Sequence, residues 1–436
     1  MIPISLKTFS ISFFILFLPL ASLTQEHPSI HEEEFREHLD EKIIVEPVEV
    51  LTGLENLILN FPDRVANKRI GIVTNHTGLD KQGRPDWVVI EEKTTAQVVS
   101  IFTPEHGLTG QYLAGESVSD ESEKSQINPK IFSLYGKTKK PTAEMLKGID
   151  LLIYDIQDVG VRFYTYITTL GLVMEAAGEH NIPVYILDRP NPITGKKLGG
   201  PLLDLNYQSF VGFYPILIQY GLTSGELARM INGEGWLKVS PELEIIPMIN
   251  WSRELWYDET TIPWVATSPN IPDVMTATVY PGTCFLEATN VSEGRGTALP
   301  FIQIGAPWID KVLLSQKLNL LNMNGVVFRP VTFTPHHPEN SGHRKYHNEL
   351  CKGVRIVVTD RNSFNPVVTG IQLLNMIHNL YPESLKINAA SLNRLYGTNE
   401  LTKLLNDELS LQEILDKIAT DRAIFMKLRS SYLIYK

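Results

Sequence analysis

Residues 151–166 read LLIYDIQDVGVRFYTY, and this stretch decides the fold class. The apolar run 151–154 is followed directly by Asp155 and Asp158, as in a buried strand that ends in polar side chains. Three further apolar runs end in the same way, within residues 70–75, 98–106 and 184–191. In an open parallel sheet the carboxyl ends of the strands share one edge, and ligands bind in the crevice there. The sequence therefore predicts a ligand site at this edge.

Helical spacing connects two of these runs. Apolar residues recur every three or four positions from Phe163 to His180, and Asn181-Ile182-Pro183 then leads into the last run. Strands that alternate with helices imply a parallel sheet covered by helices. We therefore predict an α/β fold whose parallel sheet lies within residues 48–213.

The pattern changes after residue 214. Thr223 and Glu226 have the spacing of a capping box, which predicts a helix that begins near Thr223. Apolar runs at residues 326–333 and 354–359 predict strands, and residues 412–427 predict a terminal helix. These features predict a second, smaller α+β domain over residues 214–436.

The N-terminus has the pattern of an export signal. Lys7 precedes the apolar run 11–23, which is shorter than the roughly twenty residues needed to span a bilayer. Residues 1–24 are therefore predicted to be a cleaved signal peptide, with no stable membrane insertion after cleavage. The acidic, polar residues 25–47 predict a flexible lead-in. The mature protein is expected to be periplasmic or secreted.

Composition excludes several classes of partner. A net charge of −10 over 436 residues disfavours nucleic acid, which rewards a basic surface. The zinc motifs CxxC and HExxH, the phosphate loop and the dinucleotide fingerprint are all missing from the sequence, so we predict no metal and no cofactor. Four histidines between residues 336 and 347 are interpreted as a solvated or substrate-facing loop. Cys284 and Cys351 form either a disulfide or two buried thiols, and the sequence does not choose between them.

Three segments carry candidate chemistry. Glu105 closes the strand that ends in Thr103-Pro104-Glu105-His106-Gly107, where a carboxyl group beside a cleft is suited to general acid catalysis or, alternatively, to capping a helix. The turn 154–164 is dense in acids, amides and aromatic rings and suits a polyhydroxylated ligand, although Asp158 could simply cap a helix. In the Gly-rich segment 293–297, Arg295 is suited to binding a carboxylate or to a surface salt bridge.

An ordered set of strings resembles the exo-β-N-acetylmuramidase family. The resemblance covers roughly residues 50–436, and its strings lie at residues 71–78, 102–107, 154–166, 188–192, 200–204, 280–283 and 293–297. It implies a Rossmann-like N-terminal domain without a nucleotide, a C-terminal domain and an active site in the cleft between them. It also implies release of N-acetylmuramic acid from the non-reducing end of peptidoglycan fragments.

The resemblance also implies roles for individual residues. The family's Pro-Glu-His-Gly motif falls on Pro104 to Gly107, so Glu105 is the predicted catalytic acid. Glu116, Asp155 and Asp158 are the possible second groups. The predicted substrate-binding residues are Asn75, His106, Asp155, Arg162, Tyr164, Arg189, Asn191, Asn270, Glu293 and Arg295. Three of them, Arg162, Arg189 and Arg295, are candidates for recognising the lactyl carboxylate of muramic acid.

One departure from the family and two rival functions stay open. Gln219-Tyr220-Gly221-Leu222 stands where the family usually has Arg-His-Gly-Met, so specificity could differ. A non-catalytic glycan-binding protein would keep the aromatic rings and arginines. A hydrolase of another bond or another cell-wall amino sugar is the second rival, although a serine hydrolase is disfavoured because the sequence has no G-x-S-x-G motif.

Overall fold

The computed structural model describes residues 46–110, 129–339, 341 and 344–436. The predicted signal peptide, nearly all of the lead-in, Glu116 and His343 lie outside these residues. Within the described chain, no helix is long and apolar enough to cross a membrane.

A parallel sheet organises the N-terminal part of the described chain. Its six strands, counted over the described residues, are β1 (Arg69–Thr74), β2 (Gln97–Thr103), β3 (Lys130–Ser133), β4 (Leu151–Asp155), β5 (Val184–Leu187) and β6 (Leu243–Ile246). The strand order is β3-β2-β1-β4-β5-β6, and every neighbouring pair is parallel. The predicted Rossmann-like α/β sheet is confirmed, and the order reverses between β1 and β4.

The central strands are buried on both faces, which explains their continuous apolar runs. All five residues of β4 are buried. Its register on β1 pairs Ile70 with Leu151 and Thr74 with Asp155. The polar residues that follow β1 and β4 therefore meet at the same edge of the sheet, as the sequence predicted.

Helices cover the sheet and alternate with its strands. They are α1 (Gly53–Asn60), α2 (Asp86–Lys93), α3 (Tyr166–Glu179) and α4 (Ser224–Gly233). The predicted capping box before α4 is confirmed, because the Thr223 hydroxyl accepts from the Glu226 amide at 3.1 Å and the Glu226 carboxylate accepts from the Thr223 amide at 3.1 Å.

The C-terminal part contains an antiparallel sheet and further helices, as an α+β domain requires. The sheet has the order β7-β9-β8, from Gln303–Ala306 (β7), Val326–Phe333 (β8) and Cys351–Val358 (β9). The helices are α5 (Val274–Thr283), α6 (Lys311–Asn319), α7 (Pro366–Leu380), α8 (Ala389–Tyr396), α9 (Glu400–Leu405) and α10 (Leu411–Arg429). The predicted strand at 326–333 and the terminal helix are confirmed.

The two parts share a hydrophobic core. One cluster of buried side chains extends from Val73 on β1 to Phe425 on α10. Strand β6 lies C-terminal to residue 213, yet it pairs with β5 in the parallel sheet. The division of residues 48–436 at 213 stays a prediction.

One buried arginine connects segments that are distant in sequence. Arg162, in the turn after β4, is fully buried, and its guanidinium donates to the backbone carbonyls of Pro201, Ile216, Leu395 and Tyr396. Burial lowers its pKa to about 9, so the group is still charged at neutral pH. A buried charge is tolerated only where hydrogen bonds replace those to water. Arg162 therefore joins the parallel sheet to the C-terminal helices.

Replacing Arg162 with Met keeps much of the side-chain volume but leaves four buried carbonyls without this donor. We expect the free energy of unfolding to fall by about 3–5 kcal/mol, measured by urea unfolding. Arg162→Lys should recover only part of the loss, because an ammonium group lacks the planar fork of donors. The control is Arg329→Met at an exposed position on β8, where a change below about 0.5 kcal/mol is expected. Equal stability of the Arg162→Met and control proteins would contradict this role.

Candidate active site

A cavity of about 190 Å³ lies beyond the carboxyl end of β2, between the turn after β4 and the segments that flank α5. Aromatic rings form much of its wall: Tyr135, Phe163, Tyr164, Tyr280 and Phe301. Its polar groups belong to Glu105, His106, Thr165, Ser268, Asn270, Glu287 and Arg295. A concave site with aromatic walls and a few convergent polar groups is typical of small-ligand binding.

The carboxyl group of Glu105 reaches the cavity from the end of β2. Strand β2 ends at Thr103, and the chain then turns sharply through His106 and Gly107, whose φ values are +73° and +68°. The left-handed conformation is unusual for histidine, and such strain is often found at functional sites. The Thr165 hydroxyl donates to Glu105 Oε2 at 2.7 Å, which fixes the orientation of the carboxyl group. His106 lines the cavity beside Glu105.

Asp158 stabilises the turn after β4, in which it lies. Asp158 accepts hydrogen bonds from the Gly160 amide at 2.7 Å and from the Tyr220 hydroxyl. Burial raises the pKa of Asp158 to about 6, since these hydrogen bonds only partly oppose the loss of water. Gly160 has a φ of +81°, and a Cβ atom there would lie 2.4 Å from Asn191. The residue at the family's usual histidine position, Tyr220, therefore fixes this turn.

Asn191 supports the same turn and lies outside the cavity lining. Its amide nitrogen donates to the Leu222 carbonyl at 2.9 Å, and its amide oxygen accepts from the Ile193 backbone at 3.1 Å. The side chain is buried. These bonds occupy both ends of the amide, which indicates a packing role at this position.

A buried ion pair lies at the carboxyl ends of β4 and β5. Arg189 Nε lies 2.5 Å from Asp155 Oδ1, and Arg189 Nη2 lies 2.9 Å from Asp155 Oδ2. Burial, and next the charge of Asp155, raise the pKa of Asp86 well above its ordinary value. Asn75 is fully buried and donates to the Tyr166 hydroxyl at 3.0 Å. Asn75, Asp155 and Arg189 are therefore held by protein partners at the edge of the sheet.

Arg295 enters the cavity between two glycines with positive φ, Gly294 and Gly296. Its Nη2 lies 2.5 Å from Glu287 Oε1, while its Nε lies 3.7 Å from Glu293 Oε1. Burial by itself would lower the pKa of Arg295, but the charges of Glu287 and Glu293 raise it. The Nε atom is buried and has no hydrogen-bond partner among the described residues. The position of the guanidinium in the cavity lining brings Arg295 to the ligand space.

Glu293 is directed away from this ligand position. Its Oε2 accepts from Lys345 Nζ at 2.8 Å, and its side chain is buried. Burial by itself would raise the pKa of Glu293, but the charges of Lys345 and Arg295 lower it. Glu293 therefore contacts both cations, shares their neutralisation with Glu287, and lies outside the cavity lining.

The remaining predicted ligand contacts are on the cavity wall. The Tyr164 hydroxyl donates to Thr267 Oγ1 at 3.0 Å, which fixes the ring against the edge of Tyr280. Burial raises the pKa of Tyr164, so it is a neutral hydroxyl at physiological pH. Asn270 lines the cavity, and its backbone amide donates to Ser268 Oγ at 3.3 Å.

The structure brings five of the predicted site residues to the cavity: Glu105, His106, Tyr164, Asn270 and Arg295. It places seven others outside the lining: Asn75, Asp155, Asp158, Arg162, Arg189, Asn191 and Glu293. Sequence reasoning missed Thr165, Glu287 and Cys284, which line the cavity. Glu287 follows the Tyr280–Thr283 string closely, but no local pattern marked it. The functional roles of all these residues stay predictions.

The structure shows the state of the two cysteines and the contacts of the loop histidines. Cys284 and Cys351 are buried free thiols, which answers the question that the sequence left open. Of the loop histidines, His337 donates from Nε2 to the Lys345 carbonyl at 3.2 Å, and its backbone amide donates to His347 Nδ1 at 3.0 Å. Over the described residues, no group of three potential metal ligands is present.

Comparison with known proteins gives consistent matches over nearly the whole described chain. Residues 70–275 match the model for the N-terminal domain of exo-β-N-acetylmuramidase NamZ, and residues 278–435 match the model for its C-terminal domain. The chain is 41% identical over 387 residues to peptidoglycan β-N-acetylmuramidase NamZ of Bacillus subtilis, covering 88% of this chain and 91% of that protein.

Two solved structures share the fold. Both are DUF1343 family proteins from Bacteroides fragilis. One has a TM-score of 0.82 and 34% identity, covering 89% of this chain and all of the other. The second has a TM-score of 0.68 and 32% identity, covering 89% of this chain and 99% of the other. With both domain models matched and the fold shared, the chain belongs to the exo-β-N-acetylmuramidase NamZ family.

Proposed function

We propose that this protein is an exo-acting glycoside hydrolase that releases N-acetylmuramic acid from the non-reducing ends of peptidoglycan fragments. Membership of the NamZ family and the named activity of the Bacillus subtilis relative support the reaction. The observation that carries the proposal at the level of atoms is the Glu105 carboxyl group, which faces an aromatic-walled cavity that also contains Arg295.

Glu105 acts as the general acid. In glycoside hydrolysis a carboxylic acid protonates the departing glycosidic oxygen, so that the leaving sugar departs as a neutral alcohol. The hydrogen bond from Thr165 holds the Glu105 side chain in one orientation. Aromatic side chains such as Tyr164 and Tyr280 offer apolar faces to the sugar ring.

Replacing Glu105 with Gln removes the proton and keeps the shape of the side chain. We expect kcat for a muramic acid–glucosamine disaccharide to fall by about 10²–10⁴-fold, measured as released N-acetylmuramic acid. The loss on β-muramyl fluoride should be much smaller, because fluoride leaves with little help from an acid. The matched control is Glu144→Gln at an exposed position, which should retain full activity. Equal losses on both substrates would remove Glu105 as the acid.

Arg295 recognises the lactyl carboxylate that distinguishes muramic acid from glucosamine. Of the three arginines considered from sequence, it is the one in the cavity lining. Arg162 is bound to backbone carbonyls, and Arg189 is bound to Asp155. The Arg295 guanidinium, which lines the cavity, supplies N–H donors for a carboxylate oxygen, and guanidinium–carboxylate hydrogen bonds are among the strong ones.

Arg295→Lys tests this recognition through product binding. We expect inhibition by N-acetylmuramic acid to weaken about tenfold or more, because the lost charge-assisted hydrogen bond contributes roughly 1.5–3 kcal/mol. Inhibition by N-acetylglucosamine, which lacks the lactyl group, should stay within about twofold of wild type. Arg69→Lys, at an exposed ion pair, is the control. Parallel losses for both sugars would contradict carboxylate recognition by Arg295.

The rival functions give different results in the same assays. A non-catalytic glycan-binding protein would bind muramic saccharides without releasing sugar. A hydrolase of another amino sugar would cleave glucosaminides at least as well as muramides, with no dependence on Arg295. Either result with folded wild-type protein would replace the function proposed here.

Export follows from the N-terminal pattern and is proposed with the function, since peptidoglycan lies outside the cytoplasmic membrane. The apolar run 11–23 and the polar residues after it support cleavage near residue 24. We expect the mature protein in the periplasmic or secreted fraction, with an N-terminus near residue 25 by mass spectrometry. Full-length protein confined to the cytoplasm would contradict export.

A further inference from the structure

Two carboxyl groups line the cavity among the described residues. One is Glu105, which follows the parallel sheet, and the other is Glu287, on the 3-10 helix Cys284–Ala288 that follows α5. Glycosidases of most families use a pair of carboxylates, one as the acid and one that acts at the anomeric carbon. Glu287 therefore has the right chemical type and shares a cavity with the proposed acid.

The acids that the sequence offered for the second role do not share this position. Asp155 is fully buried in its ion pair with Arg189. Asp158 is bound by Tyr220 and the Gly160 amide, and it lies outside the cavity lining. In contrast, 20% of the Glu287 side chain is exposed, and the residue lines the cavity.

The backbone that carries Glu287 is anchored on both sides. Lys345 Nζ donates to the Leu286 carbonyl at 2.8 Å and to the Val291 carbonyl at 3.0 Å. The Thr289 hydroxyl also donates to the Leu286 carbonyl at 2.8 Å. Catalytic groups need such support, because a loosely held side chain loses the productive geometry.

Arg295 orients the carboxylate itself. Its Nη2 holds Glu287 Oε1 at 2.5 Å. The second acid near Arg295, Glu293, is buried and bound to Lys345, so it has no comparable access to the cavity. The group contains two carboxylates, Glu287 and Glu293, and two cations, Arg295 and Lys345, so its charges balance. Of the two carboxylates, Glu287 is the one that lines the cavity.

We propose that Glu287 is the second catalytic carboxylate and acts as the general base that takes a proton from the attacking water. This inference rests on the glycosidase function proposed above. Arg295 binds one oxygen of Glu287, and a carboxylate has further lone pairs that can accept a hydrogen bond from the attacking water.

The hydrolytic step balances with one water consumed. The bond between C1 and the glycosidic oxygen breaks, both electrons go to that oxygen, and Glu105 supplies its proton. The water oxygen forms the new bond to C1 from the opposite face, and the water's proton passes to Glu287. Proton exchange with solvent then restores the protonated Glu105 and the ionised Glu287. A β-linked substrate therefore yields α-N-acetylmuramic acid first.

The test combines product stereochemistry with rescue of a truncated base. Proton NMR of the wild-type reaction on a β-muramyl aryl glycoside should show the α anomer before mutarotation. Glu287→Ala should lower kcat by about 10²–10⁴-fold. Sodium azide should then restore turnover and give the α-muramyl azide, because the small anion fits where the carboxylate was. Glu287→Gln should be equally slow and not rescued, since the amide fills the space.

A purely structural role predicts a different pattern. If Glu287 only orients Arg295, Glu287→Ala should weaken inhibition by N-acetylmuramic acid and raise KM, with kcat nearly unchanged and no azide product. That pattern, or a β anomer as the first wild-type product, would overturn the proposal. Glu383→Ala, at an exposed carboxylate, is the control and should match wild type. Glu287→Gln preserves the side-chain volume, so it reports on the role even if the alanine variant fails to fold.

Failure of the inference is distinguishable from failure of the proposed function. Wild-type protein that releases no muramic acid from any substrate would refute the glycosidase itself. Wild-type activity that persists in Glu287→Gln, together with the loss expected for Glu105→Gln, would refute only the role of Glu287.

Discussion

The Arg162 guanidinium is the interaction on which the arrangement of the site depends. Its bonds to the carbonyls of Pro201, Ile216, Leu395 and Tyr396 join segments that are more than two hundred residues apart. The turn that carries Arg162 continues into Phe163, Tyr164 and Thr165, and Leu395 also lines the cavity. The same hydrogen bonds that compensate for burying a charge therefore set the distance between two walls of the cavity.

The parallel sheet and the cavity have separate roles in this protein. In open α/β sheets the crevice where the strand order reverses usually binds the ligand. Here the Asp155–Arg189 ion pair and Asn75 are buried at this edge of the sheet. The cavity is at the same edge, between Glu105, which follows β2, and residues 163–165, which follow β4. The sheet thus positions Glu105, the proposed acid, and the C-terminal part supplies the opposing wall with Glu287 and Arg295.

The charged groups on that opposing wall explain how ionised side chains are retained beside aromatic rings. Arg295 contacts Glu287 and Glu293, and Lys345 contacts Glu293. Each charge has an opposite partner, which offsets the cost of removing it from water. Because Glu293 is bound to Lys345, Arg295 and Glu287 are the members of this group that face the ligand space. The recognition of an acidic sugar and the activation of water proposed above would then use one connected network.

The sequence by itself determined the strands β1, β2, β4 and β5 and the proximity of the residues at their ends, because apolar runs and turns are local signals. It also located Glu105, which follows a strand directly. It did not distinguish Arg162 from Arg295, since both are arginines near glycines within polar turns. Only the tertiary structure decided that Arg162 binds carbonyls of residues 395 and 396, that Arg295 lines the cavity, and that Glu287 faces it. These assignments depend on contacts between distant segments, which burial and long-range packing create and which no local pattern encodes.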